Sequence, residues 1–251
     1  MRHVKQGIAA LGVGGFLVLG PGLGVAQAGT DLCISINGEV RVQMGTATCS
    51  SVPSHTGQPN RAFAKGHNAE AIAGEVEGDS GNTARATGDN SYAVAGGREC
   101  TQCPPAGGDD NTAIASGDGS SASASWGDAN SVTASGDHSI ASAGPGHNNT
   151  VIASGDHSVA HASSGSGNTV TASGEYSHAD IEWLGGGSDN TLKASGDRSI
   201  AIIYFGSGNQ VVASGDTSSA SVYFGDNNAV TASTDGCIAE VIDKDGQTVT
   251  C

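Results

Sequence analysis

Large side chains are scarce in this sequence. Aromatic residues make up 4% of its 251 positions, and Leu, Ile and Phe are too few for a conventional globular core. Cations are scarce too. Ten Lys and Arg face 25 Asp and Glu, a formal charge of −15, which argues against nucleic acid and anionic membrane surfaces as partners. Beyond the first 28 residues no apolar run is long enough to span a bilayer. No nucleophile–base constellation is visible. The C-x-x-C of Cys100 and Cys103 has no second cysteine pair to complete a zinc site. Two readings survive: disorder, or a repeat architecture whose interior is too thin for large side chains.

What is present decides between them. Small residues dominate, with 40 Gly among them, and they recur in a phrase: "NTVTASGEYS", "NTVIASGDHS", "NSVTASGDHS", "NTLKASGDRS". Asn60, Asn82, Asn111, Asn130, Asn149, Asn168, Asn190, Asn209 and Asn228 form one column. Most steps are 19 residues, two are 22, and the 29-residue step after Asn82 holds an inserted loop, 97–109. Each repeat has two alternating halves, G-x-x-N-x-V-x-A-S and G-[DE]-x-S-x-A-x-[AIV], each preceded by a glycine turn. Alternation puts one face in and one face out. The inward columns read Asn, Val and Ala in one half and Ser, Ala and Ala, Ile or Val in the other; some coils add Trp126, Trp183, Phe205 or Phe224 two positions on. Such a unit cannot bury its own apolar stripe and must stack on its neighbours. The expected fold is all-β, a parallel β-solenoid of about nine coils of 19–22 residues, roughly 40 Å long at strand spacing. Stacked inward Asn side chains should satisfy one another and the turn backbone.

Residues 1–28 read as a signal peptide: a basic start, a short apolar stretch and "AQA" before a cut after Ala28. Loss of Arg2 and Lys5 takes the mature charge to −17. Export makes the cysteines disulfide candidates. Cys33 and Cys49 bracket a hairpin signal at Asn37-Gly38, and Cys237 and Cys251 bracket another at Asp245-Gly246. These predict disulfide-bracketed hairpin caps at 29–57 and 236–251 around repeats at 58–235, covering strand edges that invite aggregation. Cys100 and Cys103 predict a local disulfide.

The signatures in Ser154–Gly174, "SGDHSVAHASSGSGNTVTASG", resemble the head domain of YadA-like trimeric autotransporter adhesins. The likeness covers about residues 58–235. It implies a left-handed β-roll, a cell-surface or extracellular role, and a homotrimer. The longer coil, the cysteine caps and the absence of a stalk or membrane anchor depart from that family.

Chemistry has few places to reside. The acidic column Asp89, Asp118, Asp137, Asp156, Glu175, Asp197, Asp216 and Asp235 could bind calcium between coils. The competing reading is that each Asp bonds the turn backbone, and the absence of the calcium nonapeptide favours it. His138 and His157, one coil apart beside Asp137 and Asp156, could form a weak metal pair, or lie in exposed turns. The expected cofactor is none. The outward faces are the better candidates. Thr112, Thr150, Thr169, Thr171 and Thr191 belong to a flat Thr/Ser face that resembles ice-binding solenoids. Ile200, Ile202, Tyr204 and Tyr223 form an apolar-aromatic patch suited to a partner or to self-association, unless the extra residues of the 22-residue coils cover it. The expected function is therefore a secreted, non-catalytic protein for adhesion or surface and matrix interaction with an extracellular ligand. Ice or crystal-surface binding is the alternative, and a carbohydrate-active β-helix enzyme the third reading.

Overall fold

The computed structural model describes residues 31–54, 57–97, 107–181 and 187–251. The expected signal peptide, the Cys100–Cys103 pair and Trp183 lie outside them. Every regular element is a strand. The chain starts with β1 (Leu32–Ile36), β2 (Glu39–Met44), β3 (Thr48–Ser51), β4 (Arg61–Lys65), β5 (Glu70–Ala73), β6 (Thr83–Thr87) and β7 (Tyr92–Gly96). It continues with β8 (Thr112–Ala115), β9 (Ser121–Ser125), β10 (Ser131–Ala134), β11 (Ile140–Ala143), β12 (Thr150–Ala153), β13 (Val159–Ala162), β14 (Thr169–Ala172) and β15 (His178–Ile181). The last are β16 (Thr191–Ala194), β17 (Ile200–Ile203), β18 (Gln210–Ala213), β19 (Ser219–Val222), β20 (Ala229–Ala232), β21 (Ile238–Val241) and β22 (Thr248–Thr250).

From β3 onward, odd strands stack in one sheet and even strands in the other, all parallel within their sheet. Each coil contributes one strand to each layer, so the solenoid is a flattened roll. Registers are strict: Val132 aligns with Val151, Val151 with Val170, and Val170 with Leu192. The interior is the space between the layers. It is filled by Ala from both sheets, the Val/Leu column of one and the Ala/Ile/Val column of the other. Ala dominates because a four-residue strand on each side leaves a thin gap, where larger residues would overpack.

The Asn column behaves as expected. Asn60 through Asn228 are buried. Asn149 Nδ2 donates to Asn130 Oδ1 and to the Gly165 carbonyl, and Asn149 Oδ1 accepts the Asn168 N–H. From Asn111 to Asn190 each amide thus bonds the coil before, the coil after and a turn, so its own donors and acceptor are satisfied. The Ser column is buried too. Ser91 and Ser120 donate to the carbonyls of Gly88 and Gly117. The hydroxyls of Ser139, Ser158, Ser177, Ser199 and Ser218 have no such partner. Close stacking also explains the turn glycines. A Cβ on Gly155 would stand 2.2 Å from the Gly174 carbonyl oxygen, a clash no rotamer relieves.

The ends differ from expectation in an informative way. At the start, β1 and β2 form the predicted hairpin, with positive φ at Asn37 and Gly38. β1 pairs antiparallel with β4 and so covers one sheet's edge. The Cys33–Cys49 disulfide forms, but it joins β1 to β3 and ties the two layers together rather than the hairpin's own strands. At the other end Asp245-Gly246 does not make a hairpin. β21 pairs parallel with β19, and β22 with β20, so residues 237–251 form a tenth coil. Cys237–Cys251 closes that coil. The hairpin signal misleads because in this fold a tight turn links two layers, and the same residue types serve both turns.

Two further differences concern large or charged residues. Phe224 does not face inward: it is exposed and stacks on Phe205, ring centroids 4.8 Å apart, outside the core. The strand ends at Val222, and the chain bends away before reaching it. Asp79, which stands where later coils have the glycine of G-x-x-N, is buried. Its carboxylate accepts the N–H groups of Glu75, Val76, Gly97 and Gly108. It therefore pins both feet of the inserted loop.

Candidate functional surfaces

Three exterior surfaces result: the even-numbered sheet's face, the odd-numbered sheet's face, and the turn edges. The turns hold most of the acids. In the G-D-x-S turns each carboxylate reaches to the preceding coil. Asp137 Oδ1 accepts the Asp118 N–H, Asp156 Oδ1 that of Asp137, and Asp216 Oδ1 that of Asp197. The Asp column is thus a backbone-capping ladder between coils. The opposite turns carry a second ladder through Asp109, Asp128, His147, Ser166, Ser188, Ser207 and Asp226. The x position of G-D-x-S is left-handed, with φ near 55° at His138, His157, Tyr176, Arg198 and Thr217. Its side chains stack along the edge: His138 on His157 at 5.1 Å, His157 on Tyr176 at 4.7 Å, and Arg198 over Tyr176. The His138 and His157 rings lie parallel, interplanar angle 6°, while Asp137 and Asp156 are engaged with backbone. Among the described residues no three His, Cys, Asp or Glu side chains form a metal-holding group.

The even-numbered sheet presents the Thr/Ser face. Thr112, Ser131, Thr150, Thr169 and Thr191 align in one column. Thr133 and Thr171 belong to the next, interrupted by Ile114, Ile152 and Lys193. From β4 to β22 its strands contain no acidic residue, although the chain has 25. Apart from Lys193, its cations gather at one end. Arg61 and Lys65 flank Phe63, and the Arg85 guanidinium lies 5.4 Å from the Phe63 ring centre.

The odd-numbered sheet changes along its length. Near its middle Asp180 stands beside two imidazoles: His161 Nδ1 at 3.4 Å, one coil back in the same column, and His178 Nε2 at 3.6 Å on the same strand. Burial alone would raise the Asp180 carboxyl. The imidazoles, by hydrogen bonding and charge, outweigh it and hold the group at about 2. Both contacts are long for hydrogen bonds and Oδ1 has no donor in good geometry, so charge carries much of the effect. Ser163 Oγ lies 3.2 Å from His161 Nδ1, the nitrogen that also faces Asp180. The same hydroxyl is 3.5 Å from His161 Nε2, so its nearer contact is with the nitrogen facing Asp180, whereas a nucleophile relay needs Ser and Asp on opposite imidazole nitrogens.

Beyond the cluster the face turns apolar. Ile200, Ile202 and Tyr204 follow on one strand line, Tyr223 stacks on Tyr204 at 4.7 Å, and Ile238 is 73% exposed one coil on. The candidate patch of Ile200, Ile202, Tyr204 and Tyr223 extends further than sequence reasoning placed it, to Phe224 beside Tyr223 and to Ile242 one coil on, while Ser219 separates Ile200 from the exposed Ile238. Reading residues 238–242 as one more coil would have found that extension. The His161–Asp180 pair was also accessible, since residues 19 apart are neighbours in this stack.

The chain matches no family model, no curated protein and no solved structure. The two disulfides among the described residues suit an oxidising compartment. No helix among the described residues is long and apolar enough to cross a membrane.

Proposed function

We propose that this chain is a secreted, non-catalytic binding protein that engages a cell surface or matrix through the apolar-aromatic end of its odd-numbered sheet. The observation that carries this reading is the line from Ile200 and Ile202 through the stacked Tyr204 and Tyr223 to the exposed Ile242, 19 residues beyond Tyr223. A rigid row of stacked aromatics offers contact area with little conformational entropy to lose. The likeness to YadA-type heads, where a β-roll carries adhesion, points the same way. Replacing Tyr204 and Tyr223 by Ser should abolish binding to cells or matrix while leaving the melting temperature nearly unchanged. Binding that persists at full strength would remove the patch from consideration.

The in-register Thr/Ser column on the acid-free sheet favours a second reading, recognition of ice or another crystal face. Thermal hysteresis and ice-recrystallisation assays decide it; inactivity in both rejects it.

A further inference from the structure

The two ends of the solenoid are unlike. At the start, β1 and β2 extend the even-numbered sheet past β4, while the other sheet stops at β3, so that end is stepped. At the other end β21 and β22 close the same coil, so both sheets stop together, and the Cys237–Cys251 disulfide holds the coil shut. Neither outer edge has a partner among the described residues. Between them a cavity of about 270 Å³ opens onto Val241 and Val249, and Ile238 and Ile242 beside it are 73% and 53% exposed. Such an end is a template for further strand pairing.

The backbone along this end is self-complementary. Ala229 N–H donates to the Gln247 carbonyl, and Cys251 N–H to the Thr231 carbonyl, so alternate residues of β22 face inward to β20. The N–H and C=O of Thr248 and Thr250 therefore point along the open edge. In β21 the carbonyls of Cys237 and Val241 accept from Ser219 and Tyr223, which leaves Ile238 and Glu240 pointing outward. Counting both strands from the disulfide puts Ala239 across the interior from Val249.

We propose that two copies of this chain join tail to tail through this end, about a twofold axis normal to both sheets that passes between the two copies of Ala239 in one sheet and of Val249 in the other. That rotation reverses strand direction, so each edge pairs antiparallel with its own copy. Thr248 meets the partner's Thr250, and Ile238 meets the partner's Glu240. Each is a pair in which both outward-facing backbone groups find partners. Val249 meets the partner's Val249 on the inner side and the open cavity closes. One axis satisfies both sheets because Thr-Val-Thr reads alike in both directions and both strands stop in the same coil. Head-to-tail stacking would set this flush end against the stepped one and leave a gap in one sheet. The contact is only one coil in cross-section, below the size of a standard stable interface, so the dimer should be weak, with a dissociation constant on the order of micromolar.

Sedimentation equilibrium of the full chain over a concentration series tests this. The expected result is a monomer–dimer equilibrium. Thr250→Pro removes an N–H that the monomer leaves unused, and proline is tolerated on edge strands; it should give a monomer at every concentration with an unchanged melt. Ile238→Lys, facing the partner's Glu240, should tighten association a few-fold, and Ile238→Asp should loosen it by a similar factor. A wild-type chain monomeric throughout, a trimer, or an open-ended series of larger masses overturns the proposal. Dimers indifferent to the charge at position 238 do the same, and that pair of variants decides the matter should Thr250→Pro fail to fold.

Discussion

Asp180 is a single position at which burial and charge compete. Burial opposes the ionised form, yet the carboxyl sits at about 2 because His161 and His178 flank it. A carboxyl held below its ordinary 3.8 stabilises the fold above that pH, and the contribution drains away as pH falls towards 2. A carbon-detected NMR titration of wild type should therefore place its midpoint well below 3.8. Replacing both imidazoles by Ala removes the favourable charge and leaves the burial, so the midpoint should climb above 3.8. A midpoint that stays put would show that the imidazoles are not the cause. The same scale shows what a sequence discloses. The Asn, Ala and Val columns are legible because identical residues at a fixed step must lie on one another. Asp79 is not, because three of its four N–H partners, Glu75, Val76 and Gly97, lie off the repeat spacing, and only Gly108, one 29-residue step on, is in register with it.

At the scale of the element, the closing coil is the instructive one. Asp245-Gly246 looks like a hairpin, but Gln247 follows Asn228 by 19 residues, and its N–H bonds Asn228 Oδ1 as the next Asn would. The Gln side chain folds back onto the Asp245 carbonyl and ends the column. Position in the repeat outweighs local turn chemistry, since strand stacking supplies far more contact than one turn. Only one neighbour supports this coil, so its disulfide matters locally. Opening Cys237–Cys251 by a Cys237→Ser, Cys251→Ser double substitution should cost about 3 kcal/mol by loop closure. Because each coil touches only its neighbours, the loss should appear as fraying of β21 and β22. Hydrogen exchange should accelerate there while the β10–β15 region keeps its protection; uniform acceleration would mean the coils do not act independently.

For the whole molecule, independence of coils makes length adjustable. Deleting residues 130–148 removes one complete coil and joins Ala129 to Asn149, with every column still in phase. The shortened chain should fold, melt cooperatively and measure roughly 5 Å shorter by small-angle scattering. A deletion one residue longer would turn inward columns outward and should not fold. If the in-phase deletion also fails, stability is not a sum of coils and their contacts. The architecture was legible at this scale because few folds accommodate so thin an interior. The surfaces were less so. Exposure depends on where each strand ends and which turn follows, and these vary between coils without disturbing the repeat.

The Asn column has one more property. From Asn60 to Asn228 every amide oxygen points the same way, towards the coil after, where it accepts the next column residue's N–H, and from Asn111 to Asn190 the NH₂ also donates to the coil before. The aligned amides form a wire of head-to-tail dipoles through the core, in which each member polarises the next. The rod is therefore electrically directional in its interior, with a slightly positive start and a slightly negative finish, whatever charges its turns carry. An amide in the middle of this wire is polarised from both sides and one at either end from one side only, so the same Asn has a different strength in different coils.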